Sequence, residues 1–249
     1  MATTELVYGI HAVSSLLDHH ADAVQVLYTL AGRRDKRLQS LIDKAKHAGI
    51  TVEECARADL DARCPQVHQG IVALSTATNR EYHEQDLDAL LDGLDHPPLL
   101  LVLDGVTDPH NLGACLRTAE AAGVHAVIIP KDRSAGITAV VRKTSAGASE
   151  IVPVFQVTNL ARVIRSLKER GIWLAGTDDG SAASIYETDL TGPLALVMGN
   201  EGQGMRRLTR ELCDYLVRIP MAGTIESLNV SVATGVGLYE IRRQRDAGR

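Results

Sequence analysis

The chain is 249 residues long, enough for one large core or two smaller ones, and its four cysteines (Cys55, Cys64, Cys115 and Cys213) form no C-x-x-C pair and are too scattered for a disulfide scaffold. No basic segment leads into a long apolar run, and Asp or Lys interrupts the hydrophobic stretches short of bilayer-spanning length; neither export nor membrane insertion is expected, and a cytoplasmic protein with reduced, buried thiols is. The net charge of −5 argues against a polyanionic partner until its distribution is read: residues 78–96 alone hold one basic and six acidic side chains, which leaves local basic clusters on both sides.

Residues 1–77 read as a compact α/β unit. Helical periodicity covers His11–His19, an apolar run spans Ala23–Leu30, a helix is predicted over Arg37–Ala48 with Gly49 as its C-cap, and a β-rich stretch closes the unit at Gly70–Ser75. Residues 78–96 form an acidic linker ahead of Pro97-Pro98, and the spacing of Leu87, Leu90, Leu91 and Leu94 places a short amphipathic helix within it. Over 97–249 the pattern changes to alternating elements. A strand at Leu99–Leu103 is followed by a helix through His110–Ala122, a strand at Ala126–Pro130, a helix about Thr138–Ser145, a strand at Ile151–Phe155 and a helix over Asn159–Glu169. Strands at Ile172–Gly176 and Leu194–Gly199, a helix near Leu208–Leu212, a strand at Leu216–Ile219 and a last helix from about Ser227 complete it. Short continuous apolar strands separated by helices imply a parallel sheet covered on both faces, hence a doubly wound α/β domain.

A dinucleotide-type site would need G-x-G-x-x-G straight after the first strand of that domain, and the turn Asp104–Asn111 lacks it. Glycine density peaks late instead, at Gly199, Gly202 and Gly204, and again at Gly235 and Gly237. A ligand site built from the last strands is therefore better supported, with a tight turn at Gly199–Gly204 as the equal alternative. At Ile219-Pro220-Met221 a second strand end leaves backbone groups free to grip a ligand edge, and Ser227 is an N-cap candidate for the last helix. Nine histidines without Cys/His ligand spacing give no metal site, and His11 and His68 read as loop or satisfied core residues. Phe155 is the only Phe and Trp173 the only Trp, both in predicted strands, so stacking on a flat ligand would have to rely on tyrosines or arginines. The basic clusters Arg33–Arg37, Lys131–Arg133, Arg142-Lys143 and Arg206-Arg207 with Arg210 are the candidates for touching a polyanion, each by itself more often a solvated face.

Taken together, Asn111–Arg117, Leu196–Gly204 and Ile219–Ser231 resemble, in order and residue identity, the motif set of the SpoU branch of the SPOUT RNA methyltransferases. The front of the chain, at Val7–Val13 and Val67–Ile71, is similar to the small L30e-like substrate-binding domain of one subgroup. Leu101–Gly113 and Val124–Ala135 point to the subgroup that 2′-O-methylates a guanosine in the peptidyl-transferase region of 23S ribosomal RNA. The resemblance implies an α/β catalytic domain with a deep trefoil knot, S-adenosylmethionine as methyl donor, no metal, ribosomal RNA as substrate and a homodimer formed through the knotted domain, where Gly235 and Gly237 would admit a second helix, the opposing reading of these glycines being packing within one chain. The same chemistry on transfer RNA or another ribosomal site, or a non-catalytic RNA-binding factor on the same fold, are the alternatives.

The resemblance also implies roles for individual residues. Arg117 is the family's proposed base; because a guanidinium pKa lies above about 12, a phosphate clamp and donor to the developing alkoxide is the better physical role, against a plain ion pair with Glu120. Asn111 would orient Arg117 and its loop, or else cap the helix. Glu201 would accept hydrogen bonds from the glycine turn or from Arg117. Ser227 and Asn229 would lie beside the methyl donor, and backbone groups of Gly199, Ile219 and Leu228 would hold it.

Overall fold

The protein is described by a computed structural model that covers residues 4–33, 35–76, 82, 84–200 and 202–248. In chain order its first elements are β1 (Thr4–Tyr8), α1 (Ile10–His19), β2 (Val24–Leu30), α2 (Lys36–His47), β3 (Thr51–Cys55), α3 (Arg57–Arg63), β4 (Ile71–Thr76) and α4 (Glu84–Asp92). Then come β5 (Leu99–Asp104), α5 (Pro109–Ala121), β6 (Ala126–Pro130), α6 (Ala139–Thr144), β7 (Val154–Val157) and α7 (Leu160–Glu169). The last are β8 (Trp173–Thr177), β9 (Leu194–Gly199), α8 (Arg207–Leu212), β10 (Tyr215–Val217) and α9 (Val230–Ala247). These elements pack as two compact units, residues 1–80 with 137–151, and residues 81–136 with 152–249.

The first unit is a four-stranded sheet in the order β1-β4-β2-β3, antiparallel except for the β2/β3 pair. Strand alternation divides its core. Ile71 and Ala73 meet Val13, Leu16, Leu38 and Leu41 from α1 and α2 on one face, while Val72 meets Tyr8, Tyr28 and Leu60 on the other. Helix α2 forms because Leu38, Leu41, Ile42 and Ala45 recur at helical spacing and Asp35 caps it, accepting the Leu38 N–H at 2.9 Å.

Residues 137–151 belong to this unit, which no periodicity argument anticipates. Arg142 on α6 is buried between Glu150 and Glu5, the latter at 3.1 Å. Gly147 takes φ +96°, and a β-carbon there would stand 2.3 Å from Ser15 Cβ, so only glycine fits beneath α1. Ser15 Oγ donates to Gly147 O at 3.1 Å and closes the seam. The Arg142-Lys143 cluster therefore serves packing: Arg142 is buried in ion pairs and Lys143 lies 5.4 Å from the Tyr8 ring centre.

The second unit is the parallel sheet that the alternating pattern predicts, six strands in the order β10-β8-β9-β5-β6-β7. All six residues of β5 and all six of β9 are buried, as continuous apolar runs in a sheet covered on both sides must be. Leu100, Val102, Ile128, Phe155 and Val197 face Val163, Ile164 and Leu167 of α7, and Leu87 of α4 joins them. The acidic segment is thus anchored rather than loose: Arg162 pairs with Glu84 at 2.6 Å, and Arg170 with Asp88 and Asp92. On the opposite face α5 and α9 pack together, and Gly237 lets α9 approach to where a β-carbon would lie 2.9 Å from Leu196 Cδ2.

Two helix starts differ from expectation, and caps explain both. Asp108 accepts the His110 N–H at 2.9 Å and starts α5 at Pro109, which leaves Asn111 inside the first turn instead of at the cap. Asn229, not Ser227, caps α9: its Oδ1 accepts the Ser231 N–H at 2.9 Å and the Ser231 hydroxyl at 2.6 Å.

Candidate active site

Strands β5 and β9 lie side by side, with Asp104 and Gly199 as register partners at their carboxyl ends. The chain leaves β5 into α5 on one face of the sheet, and leaves β9 towards α8, which packs with α7 on the other. Adjacent strands whose connections diverge to opposite faces open a crevice at the sheet's carboxyl edge, the place where open α/β proteins bind ligands.

The glycine turn after β9 is closed by its own backbone. Asn200 N donates to Gly204 O and Gly204 N to Asn200 O, both at 3.1 Å, and Asn200 Oδ1 accepts the Gln203 N–H at 3.1 Å. Gly202 and Gly204 take φ +88° and +67°. A β-carbon on Gly199 would stand 2.1 Å from Gly204 C, so Gly199 is required by the turn folding back on the strand end. Glu201 lies outside the described residues. Asn200 is the side chain that pins the turn.

Beneath the turn lies a residue that sequence reasoning missed. Asp104, wholly buried, accepts the Arg206 N–H at 2.9 Å and ties the end of the glycine turn to β5. Its signal was only a lone carboxylate ending an apolar run. Nearby, burial reinforced by Asp214 pushes the Cys213 thiol up to about 12, so it stays protonated and is no nucleophile.

The first and third motifs are joined directly. Asn229 Nδ2 donates to Asn111 Oδ1 at 3.1 Å, and one turn further along both helices Cys115 Sγ and Thr234 Oγ1 are 3.5 Å apart. The Asn229 amide thus divides its work, capping α9 with its oxygen and holding α5 with its nitrogen. Between β10 and this cap, the chain from Ile219 to Leu228 must span the carboxyl ends of β8 and β9 to reach α5, roughly three strand spacings of about 4.8 Å. Met221–Ser227 are exposed, Ile219 and Leu228 half-buried. Among the described residues, Ile219–Leu228 make no backbone hydrogen bond. A run of free N–H and C=O groups with apolar side chains between them suits the edge and face of an adenine ring, so the residues present fit an adenosyl group.

Arg117 stands apart. It is exposed on α5, six residues and so about 120° around the helix from Asn111, and among the described residues it makes neither the ion pair with Glu120 nor a hydrogen bond to Gly199, Ile219 or Leu228. His68 is a satisfied core histidine in the first unit, with Nε2 2.7 Å from Asp61 Oδ1 and Nδ1 accepting the Gly70 N–H; His11 is exposed. Among the described residues no three His, Cys, Asp or Glu side chains are placed to hold a metal ion, and no helix is long and apolar enough to cross a membrane.

The SpoU rRNA methylase family profile matches residues 98–239, and that of the RNA 2′-O ribose methyltransferase substrate-binding family matches residues 6–80. The 23S rRNA (guanosine-2′-O-)-methyltransferase RlmB of Pseudomonas syringae pv. tomato is 54% identical over 249 residues, covering 100% of this chain and 99% of that one. RlmB of Pasteurella multocida is 57% identical over 244 residues, covering 97% and 99%. Among solved structures, the SpoU methyltransferase AviRb from Streptomyces viridochromogenes in complex with AdoMet is similar with a TM-score of 0.80 at 28% identity, over 98% of this chain and 92% of that one.

Proposed function

The chain belongs to the SpoU rRNA methylase family, and on that footing we propose that it is an enzyme that moves a methyl group from S-adenosylmethionine to the 2′-oxygen of a guanosine ribose in 23S ribosomal RNA. The observation that carries this reading is the Asn229–Asn111 hydrogen bond, which unites the family's first and third motifs over the switch point between β5 and β9. We assign the target to the peptidyl-transferase region, the active form to a homodimer joined through a trefoil-knotted domain, and the place of work to the cytoplasm with its ribosomes.

The methyl donor, when bound, supplies an activated sulfonium leaving group, so the protein's task is alignment and charge. The free backbone groups of Ile219 and Leu228, with Gly199 at the neighbouring strand end, hold the adenosyl portion. Asn229 and Ser227 border the transferred carbon. Arg117 clamps a phosphate next to the acceptor ribose and donates to the oxygen as negative charge grows on it, the proton leaving to water or phosphate; literal deprotonation by a guanidinium is disfavoured because a guanidinium does not give up its proton in proteins. Among the described residues Arg117 makes no hydrogen bond to that cleft, and we assign it to the cleft of a partner subunit. Asn111 fixes the start of α5 from which Arg117 projects, and Glu201 fixes the glycine turn.

Incubation with labelled methyl donor and 23S ribosomal RNA that lacks native methylation, followed by mapping of the product, tests the reading. One 2′-O-methylguanosine is expected; label found only in transfer RNA would overturn the substrate, and no label in either would overturn the activity.

A further inference from the structure

The carboxyl edge of the second sheet carries a feature that the three motifs leave unused. Asp104 is wholly buried, yet only Oδ2 is satisfied, by the Arg206 N–H at 2.9 Å; Oδ1 is buried, makes no hydrogen bond and faces Arg206 Nε at 3.4 Å. Burying a carboxylate with one oxygen unbonded is costly, and closing the turn needs only the backbone contact. The second oxygen lies against a guanidinium instead. That guanidinium is not itself buried: the Arg206 side chain is 42% exposed, and its Nη2 passes 3.6 Å from where a β-carbon on Gly105 would stand.

From the other side, the Arg133 carbonyl comes within 3.6 Å of the same point. Gly105 holds φ +92°, where a side chain would be strained, so the two loops meet over bare backbone. Arg133 itself holds φ +58°, rare for a residue with a β-carbon, and is kept there by Ser134 Oγ and the Ala135 N–H, which both donate to Val106 O, at 3.2 and 2.8 Å. Strain of this kind persists where the surroundings over-determine it, and it collects at working sites. Arg133 is exposed and makes no ion pair among the described residues.

We propose that Arg206 and Arg133, flanking Gly105, form a phosphodiester-binding subsite that grips the RNA backbone next to the methylated ribose, with Asp104 as the positioning residue for Arg206. The chemistry is that of a guanidinium fork on phosphate oxygens, and the place follows from the acceptor, since a ribose hydroxyl is never more than one nucleotide from a phosphate. This inference rests on the RNA 2′-O-methyltransferase reading.

The test uses the full-length protein and a 23S fragment containing the target, with RNA affinity measured against potassium chloride concentration and S-adenosylmethionine affinity measured by calorimetry. For Arg206→Gln we expect about tenfold weaker RNA binding, a logarithmic salt slope smaller by about 0.7 to 0.9, and cofactor affinity within twofold. Arg133→Gln acts in the same direction. Asp104→Asn weakens RNA binding less, and in combination with Arg206→Gln adds nothing, because both changes remove one contact. Should Asp104→Asn fail to fold, the exposed Arg206 decides alone. An unchanged salt slope in folded Arg206→Gln protein overturns the proposal. So does cofactor affinity that falls in step with RNA affinity, which would make the pair a prop for the glycine turn. The binding measurement needs no turnover, so wild-type protein that binds the fragment but leaves it unmethylated counts against the enzymatic reading and not against this subsite.

Discussion

Arg117 and His125 show how a side chain's surroundings decide what it can do. Arg117 is exposed with no partner among the described residues, so Arg117→Ala should abolish methyl transfer while S-adenosylmethionine affinity stays within severalfold and the melting temperature is unmoved. Undiminished turnover would remove it from the mechanism. His125 has the opposite setting: its Nδ1 accepts the Leu99 N–H at 2.9 Å at the start of β5, and its Nε2 lies 2.8 Å from His96 Nε2. Burial first, and the neighbouring His96 second, hold its pKa below the usual 6.5. The unfolded chain therefore takes up a proton before the folded one does. Stability from this site is complete above about pH 6.5 and drains away as the pH falls through that value towards the folded pKa. Melting curves between pH 7.5 and 5 should show the loss, and His125→Asn, whose Oδ1 can take the Leu99 N–H, should flatten it; parallel curves for the two proteins would refute the assignment.

At the scale of elements, the apolar runs of β5, β6 and β9 and the late glycine turn were legible, because a buried parallel strand has no polar alternative to its composition. Helix starts were less so. Ser227 and Asn229 are both good caps on paper, and Asn229 wins because its amide can cap α9 and hold Asn111 at once. Asn229→Ala should cost about 1 kcal/mol for the cap and weaken cofactor binding or turnover, whereas Asn229→Asp keeps the cap and loses the donor to Asn111. Equal activity in all three proteins would show that this hydrogen bond does no catalytic work. Asp104 and the passage of 137–151 into the first unit were illegible for a shared reason. A lone carboxylate after an apolar run, or an Arg-Lys pair on a short helix, looks like surface until tertiary packing encloses it.

At the scale of the whole molecule, α9 is apolar on two sides. Leu238 and Ile241 are buried, while Val232 and Tyr239 are 52% and 53% exposed on the same helix. An uncovered apolar stripe on the final helix is what the proposed dimer would bury. If Arg117 serves the partner's cleft, two impaired proteins should cure each other. Mixing Arg117→Ala and Asn229→Ala subunits, with exchange allowed, should restore about a quarter of wild-type activity, the fraction of sites in which both residues are intact. Activity no higher than that of either variant alone would put the arginine and the asparagine of each site on one chain.

The seam between Ser15 and Gly147 bears on how such a protein can be taken apart or rebuilt. The front unit is not a detachable cassette: its polypeptide departs, and fifteen residues of it come back from a stretch encoded well inside the methylase sequence. A fragment ending near residue 80 would leave Glu5 facing the vacancy of Arg142 and α1 bare where Gly147 belongs, so anyone grafting this unit onto another catalytic body must transplant both pieces together.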